Sequence, residues 1–239
     1  QLTLNISKTK IMLFSSSKKV SNKTIDIAVD NEFLEQVHAF KYLGVRLDSK
    51  LSWDEHVNVV CGKISQRLSV LAKITNYVPR ETATLLYNST VLPLFDYCDF
   101  IWSSCTSKNV ARLQRLQNRA ARILLKKFRR TNVNTMLTEL KWINVMDIFD
   151  YHKCAFVHKC MKLHVPVYLK NLFQTNSQFH SYNTRNSQNL HLHKHHNNSG
   201  LKTLAYSGAK LYNDLSFDTR NSATMTQFKH TYFQAKNYV

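Results

Sequence analysis

Residues 40–48 read Phe40-Lys41-Tyr42-Leu43-Gly44-Val45-Arg46-Leu47-Asp48, and Leu51-Ser52-Trp53 and His56 follow closely. The pattern from Val37 to Leu47 predicts a hairpin or a strand pair, in which Gly44 lets the backbone pass close to another group. From Trp53 onward the apolar residues are spaced by three or four, which predicts an amphipathic helix over residues 54–77. The chain therefore changes here from a small β portion to a helical one.

The rest of the sequence predicts more helices than strands. Upstream, strands are expected at about residues 10–15 and 25–29. Downstream, a helix is expected from Pro79 to about residue 92, where Pro93 kinks or breaks the chain before a helix at 94–102. The spacing also predicts helices at residues 107–127, 135–141, 146–163, 205–215 and 222–237. A long polar loop is expected at about 174–203, which is rich in Asn, Ser, His and Gln.

The composition is typical of a folded, mainly helical protein. Hydrophobic residues make up 44% of the chain, with only 4 Gly and 3 Pro, so we expect an α+β fold that is mainly α. No apolar run approaches the roughly 20 residues of a membrane helix, and no signal-peptide pattern opens the chain. Five cysteines without a Cys-x-x-Cys motif favour reduced thiols. We therefore expect an intracellular protein of the nucleus or cytoplasm that is not secreted and binds no membrane.

The net charge of +18 is unevenly distributed along the chain. Residues 1–100 contain 12 Lys and Arg against 10 Asp and Glu, whereas residues 101–239 contain 21 against 5. Such an excess in one part of a chain is typical of proteins that bind a polyanion, and nucleic acid is the most common one. The alternative is a basic surface that has no partner.

Residues 107–130 carry the most regular charge pattern. At helical spacing, five cations share one face, and they are Arg112, Arg115, Arg119, Arg122 and Lys126. An apolar face lies beside them, formed by Leu113, Leu116, Ala120, Ile123 and Leu124. No acidic residue occurs from 100 to 138, and like charges one turn apart repel each other unless an anion such as a phosphate backbone lies near. The pattern predicts a nucleic-acid-binding helix; the alternative is a solvated face whose arginine stems cover apolar surface.

The sequence gives little support for a metal site. Asp96 and Asp99 are three residues apart, and we expect them to cap a helix or to pair with nearby arginines. A zinc site is not expected from the candidate ligands Cys154, His158, Cys160 and His164, because the first two and the last two lie on different faces of the predicted helix. The histidines at 191, 193, 195 and 196 form a cluster that would bind metal only adventitiously. Catalytic nucleotidyl transfer needs clustered carboxylates for two Mg²⁺ ions, and the chain contains no Asp-Asp pair.

Residues 40–56 resemble the end of the palm and the start of the thumb in reverse transcriptases of non-LTR retrotransposons, the jockey- and CR1-like LINE elements. Further runs are similar to the same family, and they are Leu86-Tyr87-Asn88-Ser89, residues 91–102, Leu113 to Ala120, Pro166-Val167-Tyr168-Leu169, Tyr182-Asn183-Thr184-Arg185 and Gln227-Phe228-Lys229. The resemblance covers nearly the whole chain. It implies three parts: residues 1–50 as a small antiparallel β remnant of the palm with its primer-grip hairpin, 51–130 as a helical thumb, and 131–239 as a basic helical C-terminal region.

The resemblance also implies roles for single residues. Residues 4–14 resemble motif D, which supplies a lysine near the pyrophosphate leaving group; Lys8 matches its position, and Lys10 matches it less well. Residues 40–45 resemble motif E, the primer grip, which implies nucleic-acid contacts for Lys41, Tyr42 and Gly44.

The implied function is to bind RNA template and DNA primer as a part of an RNA-directed DNA polymerase. The complete polymerase would use Mg²⁺ held by carboxylates upstream, so this chain alone is expected to hold no cofactor, to bind no small-molecule substrate and to be inactive. Two alternatives remain open. One is a non-enzymatic, basic helical protein that binds nucleic acid, and the other is the inert relic of a decayed element.

Overall fold

The computed structural model describes residues 5–15, 17, 20, 23–162, 165–179, 181, 184–195 and 197–236. Helices dominate these residues, and every strand lies before residue 49. The prediction of an α+β fold that is mainly α is confirmed. No helix in these ranges is both long and apolar enough to cross a membrane.

The strands form three two-stranded sheets. β1 (Lys10–Ile11) pairs in parallel with β4 (Glu35–Gln36), whereas β2 (Ala28–Val29) and β3 (Glu32–Phe33) are antiparallel. The predicted hairpin is present as β5 (Ala39–Tyr42) and β6 (Val45–Asp48). The expectation of an antiparallel β portion is wrong for β1 and β4, because the long connection between them allows the crossover that parallel pairing needs. The strands expected at 10–15 and 25–29 are only two residues long.

Asp48 organises the passage from the hairpin to the first long helix. Its carboxylate accepts hydrogen bonds from the backbone N–H groups of Lys50, Ser52 and Trp53, at 3.0, 3.0 and 2.9 Å. Trp53 adopts a left-handed conformation with φ of 65° and buries its indole, which donates to the Ser104 hydroxyl at 2.9 Å. The chain thereby turns sharply and enters helix α1.

The first core is built on α1 (Asp54–Ile74), α2 (Arg80–Thr90), α5 (Ser107–Leu125) and α6 (Val133–Leu140). The buried face of α1 repeats at helical spacing and consists of Val57, Val60, Ile64, Leu68 and Leu71. These side chains pack against α5, whose buried residues include Leu113, Ala120 and Leu124. The helices predicted at 54–77, 107–127 and 135–141 are confirmed, with ends that differ by up to three residues.

The segment between α2 and α5 is broken twice. Pro93 lies in the first turn of α3 (Leu92–Asp96), so the predicted break at this proline is confirmed. The single helix expected over 94–102 is wrong, because the left-handed Cys98 (φ 53°) separates α3 from α4 (Asp99–Trp102). The buried indole of Trp102 donates to the Tyr97 carbonyl at 2.9 Å and holds this corner closed.

Helix α7 (Val145–Lys162) passes through two cores. Phe149 belongs to the first core, whereas Cys154, Val157 and Cys160 belong to a second one. Residues of α8 (Val167–Lys170), α11 (Leu204–Asn213) and α13 (Met225–Ala235) complete the second core. The short helices α9 (Asn176–Phe179), α10 (Asn198–Leu201) and α12 (Phe217–Arg220) lie in the connections between them. The helix expected over 222–237 starts three residues late, because Ser222 is fully buried in the link after α12 and Thr224 caps α13.

The polar loop expected at 174–203 is more ordered than its composition indicates. It contains α9 and α10, and Leu190 is buried in the second core. The Asn213 side chain accepts from the Leu190 backbone N–H at 2.8 Å and donates to its carbonyl at 2.9 Å. A partner far away in sequence therefore fixes a segment that looks like a loop.

Candidate nucleic-acid interface

Helix α5 carries the cationic stripe, which consists of Arg112, Arg115, Arg119, Arg122 and Lys126. The helix begins at the Thr106 cap, whose hydroxyl accepts from the Asn109 N–H, and it ends at the left-handed Lys126 (φ 50°). Leu113, Ala120 and Leu124 of its apolar face are buried, and Leu116 and Ile123 are half-buried. Beside this face, the buried Gln117 donates to the Ile143 carbonyl at 2.8 Å. The packing and this hydrogen bond together fix the direction in which the cations of the helix point.

Two arginines of the stripe lie against helix α1. Arg112 donates to the Asn58 side-chain oxygen at 2.6 Å and to that of Asn109 at 3.3 Å. Arg119 donates to the hydroxyl groups of Ser65 and Ser69, at 3.1 Å each. All four partners are neutral, so these contacts position the guanidinium groups without cancelling their charge.

The other three cations are less constrained. Arg115 is exposed, and its Nε donates to the Ala111 carbonyl at 3.2 Å. Arg122 is half-buried, and its Nε is one of the few buried polar atoms without a hydrogen-bond partner in the described ranges. Lys126 is exposed at the end of the helix. Within the described residues, no cation of the stripe forms an ion pair, whereas Glu139 nearby pairs with Arg80 at 3.0 Å and with Lys127 at 3.9 Å.

The hairpin exposes two of the predicted contact residues. Tyr42 keeps 60% of its surface exposed, and Lys41 is exposed opposite Arg46 on the neighbouring strand. Arg46 forms an ion pair with Glu55 at 3.2 Å, so Lys41 provides the unneutralised charge of this cross-strand pair. Lys41 and Tyr42 together offer a cation and an aromatic face to solvent.

Gly44 is part of the hairpin turn and lies against Tyr97. It follows Leu43 in a turn where both residues have positive φ, 45° and 86°, which a two-residue hairpin of this type requires. The close approach predicted at Gly44 is made by Tyr97, since a Cβ on the glycine would lie 3.2 Å from the tyrosine ring. The Tyr97 hydroxyl also donates to the Leu43 carbonyl at 2.7 Å. The hairpin tip is thus fastened to the link between α3 and α4.

Lys8 lies apart from the stripe in sequence and is exposed in a 3₁₀ turn (Ile6–Lys8) that Asn5 caps. Lys10, the weaker motif D candidate, forms an ion pair with Glu35 across the β1–β4 pair. Of the two lysines, Lys8 is the one without an ion pair to a described residue.

The rejected zinc ligands serve the second core. The His158 ring stacks on Phe228 with centroids 4.3 Å apart, and its Nδ1 lies 3.0 Å from the Tyr212 hydroxyl. Cys154 and Cys160 are buried there as free thiols, and His164 lies outside the described residues. Burial raises the pKa of the Cys154 thiol to about 12 and lowers the pKa of His158 to about 4. Both groups are therefore neutral at physiological pH.

The hydrogen-bond partners of Asp99 differ from those expected. Its carboxylate bonds to His152 of α7 and accepts from the Phe100 N–H at 2.7 Å, so the expected arginine partner is wrong. The carboxylate of Asp96 lies in the same cluster, and the ligand atoms of Asp96, Asp99 and His152 all lie within 4.8 Å of one another. The sequence could not indicate this cluster, because His152 follows Asp99 by 53 residues.

Comparison with known proteins gives two matches. Over 112 residues the chain is 32% identical to the probable RNA-directed DNA polymerase from transposon BS of Drosophila melanogaster, a match covering 45% of this chain and 12% of that protein. Over 156 residues it is 22% identical to the probable RNA-directed DNA polymerase from transposon X-element of the same organism, covering 64% of this chain and 17% of that protein. Parts of the chain are thus similar in sequence to transposon RNA-directed DNA polymerases. The chain matches less than a fifth of the length of either relative.

No protein-family model matches the chain. No solved structure matches it either. The similarity to transposon RNA-directed DNA polymerases therefore rests on the two sequence matches.

Proposed function

We propose that this chain is the thumb-side and C-terminal part of a non-LTR retrotransposon reverse transcriptase and that it holds the RNA template and DNA primer. The observation that carries this proposal is the stripe on α5. Neutral partners position Arg112 and Arg119, and no arginine of the stripe forms an ion pair with a described acidic residue. A phosphate backbone supplies the anion that such a row of guanidinium groups lacks.

The geometry of the stripe favours contact with a continuous backbone over contact with a single anion. Arg112, Arg115, Arg119 and Arg122 follow one another along α5, over a length of about 15 Å at 1.5 Å per residue. Double-stranded nucleic acid presents charges repeatedly over that length. The exposed hairpin residues Lys41 and Tyr42 extend the proposed surface with a second cation and a stacking face.

The test is the salt dependence of binding to a labelled RNA–DNA hybrid, measured by fluorescence anisotropy. Changing Arg115, Arg119 and Arg122 together to Gln should weaken binding at least tenfold and reduce the slope of log K against log salt by roughly 2 to 3. The matched control replaces three exposed lysines at the end of α7 and in α8, which are Lys159, Lys162 and Lys170. If both triple variants lose the same slope, the stripe has no special role and net charge alone drives binding.

The same assay separates this proposal from its alternatives. A general nucleic-acid-binding protein would bind hybrid, duplex DNA and single strands with similar affinity, whereas a primer-holding surface should prefer the hybrid. A relic without function would bind none of them tightly at 150 mM salt.

The catalytic role proposed for Lys8 depends on the complete polymerase. Lys8 would act near the leaving pyrophosphate only where the Mg²⁺-binding carboxylates of a palm are present, and the enzyme would work in the nucleus or cytoplasm. The chain alone should show no Mg²⁺-dependent primer extension on an RNA template. Extension by purified chain, free of contaminating polymerase, would show that catalytic groups have been overlooked.

A further inference from the structure

A second cluster of chemically active side chains lies away from the cationic stripe. It joins the corner between α3 and α4 to α7, at the junction of the two cores, and consists of Asp96, Asp99 and His152. Asp99 is 1% exposed. Its Oδ2 bonds to His152 Nδ1, and its Oδ1 accepts from the Phe100 N–H. The corner carrying the two aspartates is shaped by the left-handed Cys98 and by Trp102, which leaves both carboxylates turned towards one histidine.

One carboxylate oxygen of this cluster lacks a protein partner. Oδ1 of Asp96 is fully buried and accepts no hydrogen bond from any described residue. A buried, unpaired carboxylate oxygen is costly, since desolvation of such a group is compensated only by a donor, a proton or a cation. A neighbouring second carboxylate increases the cost because like charges repel.

A cavity of about 280 Å³ adjoins the cluster and is lined in part by Asp96, His152 and Gln117. That volume is sufficient for several water molecules, each of which occupies about 30 Å³ in the liquid. An ion held by the three side chains would therefore have room for water at its remaining coordination positions. This combination of three protein ligands and an open side is the arrangement of many non-structural zinc sites.

We propose that Asp96, Asp99 and His152 form a binding site for a divalent transition-metal ion of the Zn²⁺ or Mn²⁺ class. An imidazole ligand favours such ions over Mg²⁺ and Ca²⁺, which prefer oxygen ligands throughout. Ligand atoms around one ion lie roughly 3 to 3.6 Å apart, and those of the three side chains all lie within 4.8 Å of one another, so the ion would separate His152 from Asp99 and draw Asp96 closer. The ion would replace the hydrogen bond between His152 and Asp99 and would fasten the α3–α4 corner to α7.

The first test uses the metal-stripped chain and Co²⁺, whose visible absorption reports its ligands. The parent should bind one equivalent with micromolar affinity at this site. Asp96→Asn, which keeps the shape and leaves the Asp99–His152 pair intact, should weaken that equivalent at least tenfold. The matched control is Asp150→Asn, a half-buried aspartate of α7 outside the cluster. A triple change of His191, His193 and His195 to Gln removes adventitious binding by the histidine-rich segment. This variant should still bind one equivalent of Co²⁺ at the proposed site.

Thermal melting provides a second, independent signature. Without metal, Asp96→Asn should melt at or above the temperature of the parent, because the variant removes the repulsion between two neighbouring carboxylates. With Zn²⁺ at 100 times the dissociation constant, the parent should gain about 5 °C and the variant should gain far less. The melting temperature of His152→Gln should likewise rise far less than that of the parent when Zn²⁺ is added. Where a variant does not fold, X-ray absorption of the Zn²⁺-loaded parent decides, since one imidazole with two or more oxygens is expected and several imidazoles would contradict the site.

Three results would overturn the proposal. One is equal Co²⁺ binding by Asp96→Asn and the parent, another is loss of binding in the histidine triple variant alone, and the third is no binding by the parent below about 1 mM. None of these outcomes bears on RNA–DNA binding by α5, so the proposed metal site and the proposed function are tested independently.

Discussion

The two cores of the molecule are built differently, although α7 runs through both. The first core consists mainly of long helices, such as α1 and α5, whose buried residues repeat at helical spacing. The second consists of short helices packed on the end of α7, joined by contacts such as that of Asn213 with Leu190. Long helices carry their packing pattern in the local sequence, whereas short ones depend on partners from distant segments.

The largest expected effects come from the largest fully buried aromatic side chain of each core. Trp102 is fully buried, contacts the rings of His56 and Phe149 with centroids 5.3 and 5.1 Å away, and bonds to the Tyr97 carbonyl. Trp102→Ala should lower the free energy of unfolding by about 4 kcal/mol, because it creates a cavity and leaves a carbonyl unpaired. Phe228→Ala in the second core, where Phe228 stacks on His158, should cost about 3 kcal/mol.

Urea unfolding of these variants tests whether the cores are independent. All three tryptophans, Trp53, Trp102 and Trp142, belong to or pack on the first core, so fluorescence reports that core alone. Circular dichroism reports helices of both. Because α7 is continuous, Phe228→Ala should shift the fluorescence and dichroism transitions together. A fluorescence midpoint that stays at the parent value, with a biphasic dichroism curve, would show that the cores unfold separately.

A second prediction concerns the pH dependence of the second core. Burial lowers the pKa of His158 to about 4, below its ordinary value of 6.5. The folded state therefore resists protonation more than the unfolded state does, and stability should fall as pH drops from about 6.5 towards 4. Between pH 7.5 and 5 this group should remove about 2 kcal/mol. His158→Gln should abolish that part of the loss, measured by urea unfolding at the two pH values.

His152, at the junction of the two cores, should respond to pH in the opposite sense. The hydrogen bond and charge of Asp99 raise the pKa of His152 against the effect of burial. The contribution of His152 to stability is therefore present below pH 6.5 and fades as the pH rises beyond it.

The matched control for the His158 variant is His230→Gln, which changes an exposed histidine of α13. A parent and a His158→Gln variant with parallel pH profiles would mean that the folded and unfolded states bind a proton at His158 equally well, which contradicts the prediction.

The contrast between the cores also shows what the sequence can predict. Helices α1 and α5 were predictable because their apolar residues repeat every three or four positions and no proline or glycine interrupts α5. The stripe on α5 was predictable as a shared face, but its contacts with Asn58, Ser65 and Ser69 were not, because they depend on how α1 lies beside it. The same holds for the Asp99–His152 pair, whose members belong to helices that only the tertiary fold brings together.

Local composition misleads where a distant partner decides the structure. The polar segment from 174 to 203 reads as a loop, yet Asn213 and the buried Leu190 order part of it. Gly44 correctly predicts a close approach, but the sequence does not say that the approaching group is Tyr97, which follows 53 residues later. Periodicity therefore predicts elements, and it leaves the contacts between them undetermined.

The smallest expected effect tests the contact that joins the β portion to the first core. Tyr97→Phe removes the hydroxyl that donates to the Leu43 carbonyl at 2.7 Å and keeps the ring against Gly44. Since Tyr97 is 53% exposed, the loss in global stability should be about 0.5 kcal/mol. Amide hydrogen exchange in residues 43–46 should nevertheless become several-fold faster, because the hairpin tip loses its fastening. Tyr77→Phe, at a tyrosine that is 88% exposed, is the control. Unchanged exchange in the Tyr97 variant would mean that ring packing alone holds the hairpin in place, so that the position of Lys41 and Tyr42 depends on the shape of the contact with Gly44 and not on its hydrogen bond.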